Sequence, residues 1–209
     1  MNHNKKMICA ALVALVWSAS SSATTKGLSQ IVTPDLQDPG ALSVSAQLQS
    51  RAIANPYQLQ AELGLTRWFE VAMFQGLSPG EEIFGSEIGL YNQGPWLLTA
   101  GFINWSTRGV RSQPFLEGGY YTESDKFMGG PIQAHGKTEL LLGWAHDFDP
   151  RWRFQLDYQS GGDNYVTAGF TCNVTPAFQF NPAVYVSNND ASHAVGYIVF
   201  TYTLPVWKP

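Results

Sequence analysis

An all-β fold, its antiparallel strands running up and down into a closed barrel of about ten to twelve strands, is what this sequence predicts, and three observations predict it. One seven-residue pattern occurs three times, at residues 65–71, 148–154 and 174–180, each copy reading apolar, Thr or Asp, two variable positions, aromatic, polar, apolar. Thr, Asp and Pro close tight turns, so each copy reads as a hairpin with a strand on either side. Apolar and polar residues also alternate with a period of two over several stretches, a pattern that suits strands and would scatter both sets around a helix. Finally, charged residues make up only 13% of the chain, about half the share of an ordinary soluble domain.

Taken in chain order, the first element is not part of the barrel. Lys5 and Lys6 precede the thirteen-residue apolar run 7–19, and small residues follow as far as Ala23. Residues 1–23 are expected to be a secretory signal peptide. The run is too short to span a bilayer, and Cys9 opens it rather than following it, where a lipid-attachment Cys would sit. Residues 24–40 read as an irregular lead-in, and residues 41–209 as one barrel domain. Removing residues 1–23 leaves 186 residues with ten Lys and Arg against sixteen Asp and Glu, a net charge of −6. That balance gives no general electrostatic footprint for nucleic acid. Cys172 is then the single cysteine, so no internal disulfide framework is expected. No second stretch of eighteen apolar residues occurs, which argues against helical membrane spans.

The strands follow. Residues 42–49 alternate without exception, Leu42, Val44, Ala46 and Leu48 opposing Ser43, Ser45, Gln47 and Gln49. Residues 57–65 and 152–159 repeat this arrangement, and less regular strands are expected at 69–74, 83–91, 96–105, 115–121, 138–148, 165–174, 178–186 and 195–207. That makes eleven, whereas single-chain bacterial barrels hold an even number. The odd one is expected in residues 28–33 or inside 122–136. Connections divide into tight turns at 66–67, 92–95, 149–151 and 175–177 and longer polar ones at 52–56, 75–82 and 187–194. Short turns at one end and long loops at the other suit an outer-membrane barrel. Around residues 106–136 this regularity fails and the topology stays open.

A soluble β-sandwich also alternates, so the chemistry of each face has to decide. The polar face is built from Gln, Ser, Gly, Thr, Asn and Tyr, where a solvent-facing sheet would carry more Lys and Glu. The apolar face brings Phe69, Trp96, Trp152 and Phe178 close to turns, where a lipid–water interface places an aromatic girdle. A closed barrel also leaves no unpaired strand edge in hydrocarbon.

With these features, Glu62-Leu63-Gly64-Leu65-Thr66-Arg67-Trp68-Phe69-Glu70-Val71 and the hairpin Tyr158-Gln159-Ser160-Gly161-Gly162-Asp163-Asn164, the chain resembles the small porin-like outer-membrane β-barrel proteins of Gram-negative bacteria. The resemblance implies an outer-membrane location, contact with membrane lipid, help from the barrel-assembly machinery, and passage of small solutes without a cofactor. Such barrels commonly end in an aromatic residue read by that machinery, whereas this chain ends Val206-Trp207-Lys208-Pro209, with Trp207 two positions early.

If the apolar faces meet lipid, the opposite face lines the interior: Gln47, Gln58, Gln60, Glu62, Glu70, Glu87, Glu139, Arg153, Gln155, Asp157 and Gln179. As a channel wall these make a polar, mildly cation-favouring lumen in which Arg153 offsets part of the carboxylate charge. On the other reading they pair with one another and plug a narrow barrel of structural role. An Arg is expected to be tolerated at Gln155 but not at lipid-facing Leu156. Catalysis is not expected: Asp190, Ser192 and His193 have the residue types of a hydrolase triad but are nearly consecutive, and no nucleophile-elbow pattern accompanies them. His146, Asp147 and Asp149 could ligate a metal only if neighbouring strand residues, which point to opposite faces, converged. Cys172 shares its face with Val166, Ala168 and Phe170 and reads as a small lipid-facing or packed residue.

Overall fold

A computed structural model describes residues 27–106, 112–134 and 136–207. The expected signal peptide lies outside them. Twelve strands follow one another: β1 (Ala41–Gln49), β2 (Tyr57–Thr66), β3 (Phe69–Leu77), β4 (Gly80–Gln93), β5 (Trp96–Ser106), β6 (Gln113–Tyr121), β7 (Asp125–Ala134), β8 (Lys137–Asp147), β9 (Trp152–Gln159), β10 (Tyr165–Asn173), β11 (Phe178–Ser187) and β12 (Ala194–Pro205). Each pairs antiparallel with its neighbours in sequence, and β12 closes on β1 from Ala41 opposite Pro205 to Gln49 opposite Tyr197. Closure leaves no strand edge unpaired, which a membrane interior demands.

The repeated pattern supplies its own turn-closing acceptor. In each copy the Thr or Asp accepts a hydrogen bond from the backbone N–H two residues on: Thr66 Oγ1 from Trp68 at 3.1 Å, Asp149 Oδ1 from Arg151 at 2.7 Å, Thr175 Oγ1 from Ala177 at 3.2 Å. These side-chain caps mimic a backbone turn, and in the third copy they add to one that closes from Phe178 N to Thr175 O at 3.3 Å. All three turns lie at the barrel end that also carries Ala41 and Pro205, where every connection is two to four residues long. The opposite end mixes connections of two to seven residues.

One expectation is corrected. Residues 75–82 are not a long loop, because β3 continues to Leu77 and β4 starts at Gly80, with Gln75 opposite Glu82. Polar side chains at this rim hid the strands from an alternation test tuned to hydrocarbon. The twelfth strand is β7, inside 122–136, one of the two places expected for it. Its Gly129-Gly130-Pro131 run is poor in strand formers, and it is apolar on both faces, Phe127 outward at 49% exposure and Met128 and Ile132 inward at 6% and 1%.

The wall is inside out relative to a soluble protein. On β1, Val44 and Leu48 are exposed at 43% and 42% while Ser43 and Ser45 are buried at 2% and 7%. Exposed Leu59, Ile88, Leu116, Leu142, Leu156 and Val184 continue this apolar belt around the cylinder. At the short-turn end it is bordered by Trp68, Trp96, Tyr120, Phe148, Trp152 and Trp207, with the Trp96 and Tyr120 rings 4.6 Å apart. A belt of aliphatics edged by amphipathic rings is what a bilayer and its interface select.

Candidate functional site: the barrel interior

The interior is not lined by strands alone. From Gly40 at the short-turn rim, residues 27–38 turn inward and run up the inside of the barrel to a reverse turn in which Leu28 N donates to Ile31 O at 3.0 Å. Asp157, inward-facing on β9, receives Ser29 N at 2.8 Å and Gln30 N at 3.2 Å. Gln155 Nε2 donates to Ser29 Oγ at 3.0 Å, and the Tyr185 hydroxyl donates to the Ser29 carbonyl. Nearer the rim, Gln37 N donates to Glu70 Oε2 at 2.6 Å, the Tyr121 hydroxyl donates to Asp35 Oδ1 at 2.8 Å, and Lys126 Nζ lies 3.7 Å from Asp35 Oδ2. A backbone brought inside a barrel loses water as a partner, and these wall groups replace it.

Shape complements this bonding. Leu28 and Ile31 pack in one apolar cluster with Phe115, Met128, Ile132, Leu141 and Ala145 from β6, β7 and β8. Inward glycines make room: a Cβ on Gly143 would lie 2.7 Å from Leu28 Cδ1, on Gly169 2.8 Å from Ser29 Oγ, and on Gly119 2.7 Å from Pro34 Cγ. Those separations are far inside van der Waals contact, so the segment occupies the groove that missing side chains leave.

Two spaces remain. An outer chamber of about 440 Å³ opens toward the longer loops, floored by Gly27 to Val32 and walled by Gln47, Gln58, Gln60, Glu62, Tyr165 and Tyr197 among others. An inner space of about 230 Å³ lies toward the short-turn end, between Thr33, Asp35, Tyr121, Lys126 and Arg153. Gly27 and Leu28 border both.

The residues expected inside distribute over these levels. Gln58, Gln60 and Glu62 border the outer chamber, where Gln60 Nε2 donates to Gln47 Oε1. Glu70 and Glu87 face each other across the β3–β4 register and are 3% exposed each. Glu139 lies under the outer rim, its Oε2 accepting from Gln159 Nε2 at 2.7 Å and Asn164 Nδ2 at 2.8 Å. Arg153 grips Asp147 through Nε and Nη2, at 2.6 and 3.1 Å. Gln155, Asp157 and Gln179 are buried at 1%, 3% and 1%. Sequence reasoning missed Ser29, Asp35, Gln37, Tyr121 and Tyr185, whose partners are distant in sequence; the inward glycines and the doubly apolar strands β6 to β8 were the available trace.

Other clusters do different things. His146 Nδ1 meets Asp125 Oδ1 at 2.9 Å, Asp147 holds Arg153, and Asp149 caps its turn, so the three do not converge, and no group of ligand type able to hold a metal is found among the described residues. In the exposed connection after β11, Ser192 Oγ donates to Asp190 Oδ1 at 2.6 Å and His193 Nδ1 lies 2.5 Å from Asp190 Oδ2. These bonds, those from Ser192 first, hold the Asp190 carboxyl below its ordinary range. Ser192 Oγ also lies 3.3 Å from the same His193 Nδ1, so one ring nitrogen meets both neighbours, whereas in a hydrolase triad opposite ring nitrogens face the acid and the hydroxyl. Cys172 keeps the outward parity of Phe170 but is 2% exposed, its cross-strand partners being Trp152 and Phe180.

No family model and no curated protein sequence matches the chain. Solved structures do. The KdgM porin superposes with a TM-score of 0.57 at 10% identity, covering 78% of this chain and 98% of that one. The KdgM porin in complex with disordered oligogalacturonate gives 0.56 at 10% identity with the same coverage. A structure from work on in-meso crystallization of membrane proteins gives 0.56 at 11% identity, covering 81% of this chain and 85% of that one. At such identities the likeness is one of architecture, and the chain has the porin fold of KdgM.

Proposed function

We propose that this chain is a passive outer-membrane channel for small solutes in a Gram-negative bacterium, exported by a signal peptide at residues 1–23 and inserted by the barrel-assembly machinery. One observation carries the reading: a closed cylinder with an apolar exterior keeps Glu70, Glu87, Gln155 and Asp157 at 1% to 3% exposure around an interior that still holds chambers of about 440 and 230 Å³. Polar groups inside a lipid-facing wall are costly unless water, solute or each other satisfies them. The fold shared with KdgM supports the same reading.

In this proposal Gln58, Gln60 and Glu62 line the outer part of the path, Glu139 supports its rim, Arg153 borders the narrower part, and Glu70, Glu87, Gln155 and Asp157 are the buried polar wall behind it, three of them holding the inward segment. Residues 27–38 form the constriction between the chambers. No residue is assigned a catalytic role. The test is planar-bilayer recording of the purified chain: discrete current steps are expected, and their absence above background from heat-modifiable, folded protein would overturn the channel in favour of a structural barrel.

A further inference from the structure

The outside of the barrel carries an ionisable pair that conduction does not use. Asp125 opens β7 with the outward parity of Phe127, and His146, opposite it on β8, shares the outward parity of Leu140 and Leu142. The two side chains are 30% and 33% exposed, with His146 Nδ1 2.9 Å from Asp125 Oδ1. Trp144 Nε1 donates to the same oxygen at 3.0 Å, whereas Oδ2 receives a long bond from Ser124 Oγ at 3.4 Å. With Nδ1–H donating to the carboxylate, a neutral imidazole keeps Nε2 as an acceptor. The pair therefore offers two acceptors, Oδ2 and Nε2. Aromatic rings flank it: the His146 ring lies 5.0 Å from Phe148 and 6.2 Å from Trp144, and Trp144 lies 5.9 Å from Phe154. Phe148 and Trp152 border the apolar belt at this rim, which sets the pair at headgroup depth, where a carboxylate on the lipid face costs little.

We propose that Asp125 and His146 bind the primary ammonium of a phospholipid headgroup, that of phosphatidylethanolamine, in the leaflet at the short-turn end. The proposal rests on the outer-membrane reading and not on conduction. A carboxylate among ring faces is the chemistry that recognises an ammonium group, by charge, by hydrogen bonds and by cation–π attraction. The three N–H donors of a primary ammonium suit the acceptors Oδ2 and Nε2. A trimethylammonium headgroup keeps the charge and the ring contacts but has no N–H to donate. A glycerol headgroup brings an anionic phosphate with no ammonium beside it, and Asp125 and the exposed Glu123 of the same turn disfavour it. Exposed Arg151 on the next turn, its guanidinium 5.9 Å from the Trp152 ring, suits the phosphate that all three headgroups share.

Native mass spectrometry of the detergent-solubilised chain tests this, with phosphatidylethanolamine, phosphatidylcholine and phosphatidylglycerol of identical acyl chains added in equal amounts. A retained phosphatidylethanolamine adduct, in excess of each of the other two by about tenfold, is the expected result, the worth of one charge-assisted hydrogen bond. Asp125→Asn keeps an oxygen for Trp144 and His146 but loses the charge, and should level the three lipids. His146→Phe keeps a ring but loses Nε2, and should reduce the preference in the same direction. Heat-modifiability on a gel checks that each variant is folded, and the native comparison of the three lipids stands without them. Equal retention of all three, phosphatidylcholine held as well as phosphatidylethanolamine, or a folded Asp125→Asn chain with the native preference overturns the proposal. Bilayer recording of the same preparation separates the two readings. The native preference without ion steps sustains the headgroup site and overturns the channel; ion steps without the preference do the reverse.

Discussion

Ser29 donates its backbone N–H to the Asp157 carboxylate at 2.8 Å across 128 residues of sequence. With the second bond from Gln30 N at 3.2 Å, one carboxylate on β9 holds the tip of the inward segment. Asp157→Asn would keep one carbonyl oxygen for one of these donors and turn an NH₂ group toward the other. A buried donor facing a donor, and the loss of a charge-assisted bond, together destabilise by roughly 1–3 kcal/mol. Urea unfolding in detergent should show that loss, and bilayer recording should show a larger mean conductance as the segment loosens. Native conductance with a native unfolding midpoint would mean that Asp157 does not anchor the segment.

The groove that receives the segment can be filled from the wall. At Gly143 a Cβ already comes within 2.8 Å of Met128 Cγ and 2.9 Å of Ile31 Cδ1, and a longer side chain has nowhere to go while Leu28 and Ile31 stay in place. Gly143→Leu should therefore expel the segment at a cost of about 1–3 kcal/mol, typical of overpacking, while the twelve-stranded ladder survives. Limited proteolysis reads this directly: residues 27–38 should become cleavable in a barrel that remains heat-modifiable. Protection equal to that of the native chain would rule out the groove as the segment's seat.

How far the sequence could be read follows from the same contacts. Strands β1, β2 and β9 were legible because one face meets lipid and the other polar groups, so Leu42, Val44 and Leu48 alternate cleanly with Ser43, Ser45 and Gln47. Strand β7 was legible only through the even strand count, because Met128 and Ile132 pack on the inward segment while Phe127 faces outward; a strand apolar on both faces has no period to detect. The site was half legible. Glu70, Gln155 and Asp157 could be placed on the polar face, but nothing local in residues 24–40 marks them as an interior element, since Ser29, Asp35 and Gln37 find their partners 33 to 128 residues away.

Adjacent positions on β9 separate lipid from lumen in an altered form. Leu156 is 37% exposed on the outer face, so Leu156→Arg near the midplane should cost roughly 2–4 kcal/mol. Gln155→Arg was expected to be tolerated. It should not be: Gln155 is 1% exposed, donates to Ser29 Oγ and accepts from Thr171 Oγ1 at 3.0 Å, and an arginine there can accept nothing and is too large for the space. Both variants should lower stability in detergent unfolding, but only Gln155→Arg should change conductance.

Glu62 in the chamber wall and Glu139 beneath the rim should part company in ion selectivity. Glu62 borders the chamber, so neutralising it removes a negative charge from the wall that an entering ion passes. Glu139 is 8% exposed and its Oε2 is already held by two amide donors, Gln159 and Asn164. Its charge is spent on the rim's own hydrogen bonds, so an ion in the chamber feels it less. Reversal potentials across a KCl gradient should therefore fall toward zero in Glu62→Gln and move little in Glu139→Gln, whose effect should be on stability, because the bonds from Gln159 and Asn164 to Oε2 lose their charge assistance. Equal shifts from both substitutions would put Glu139 in the ion path and remove the distinction between a wall charge and a rim clamp.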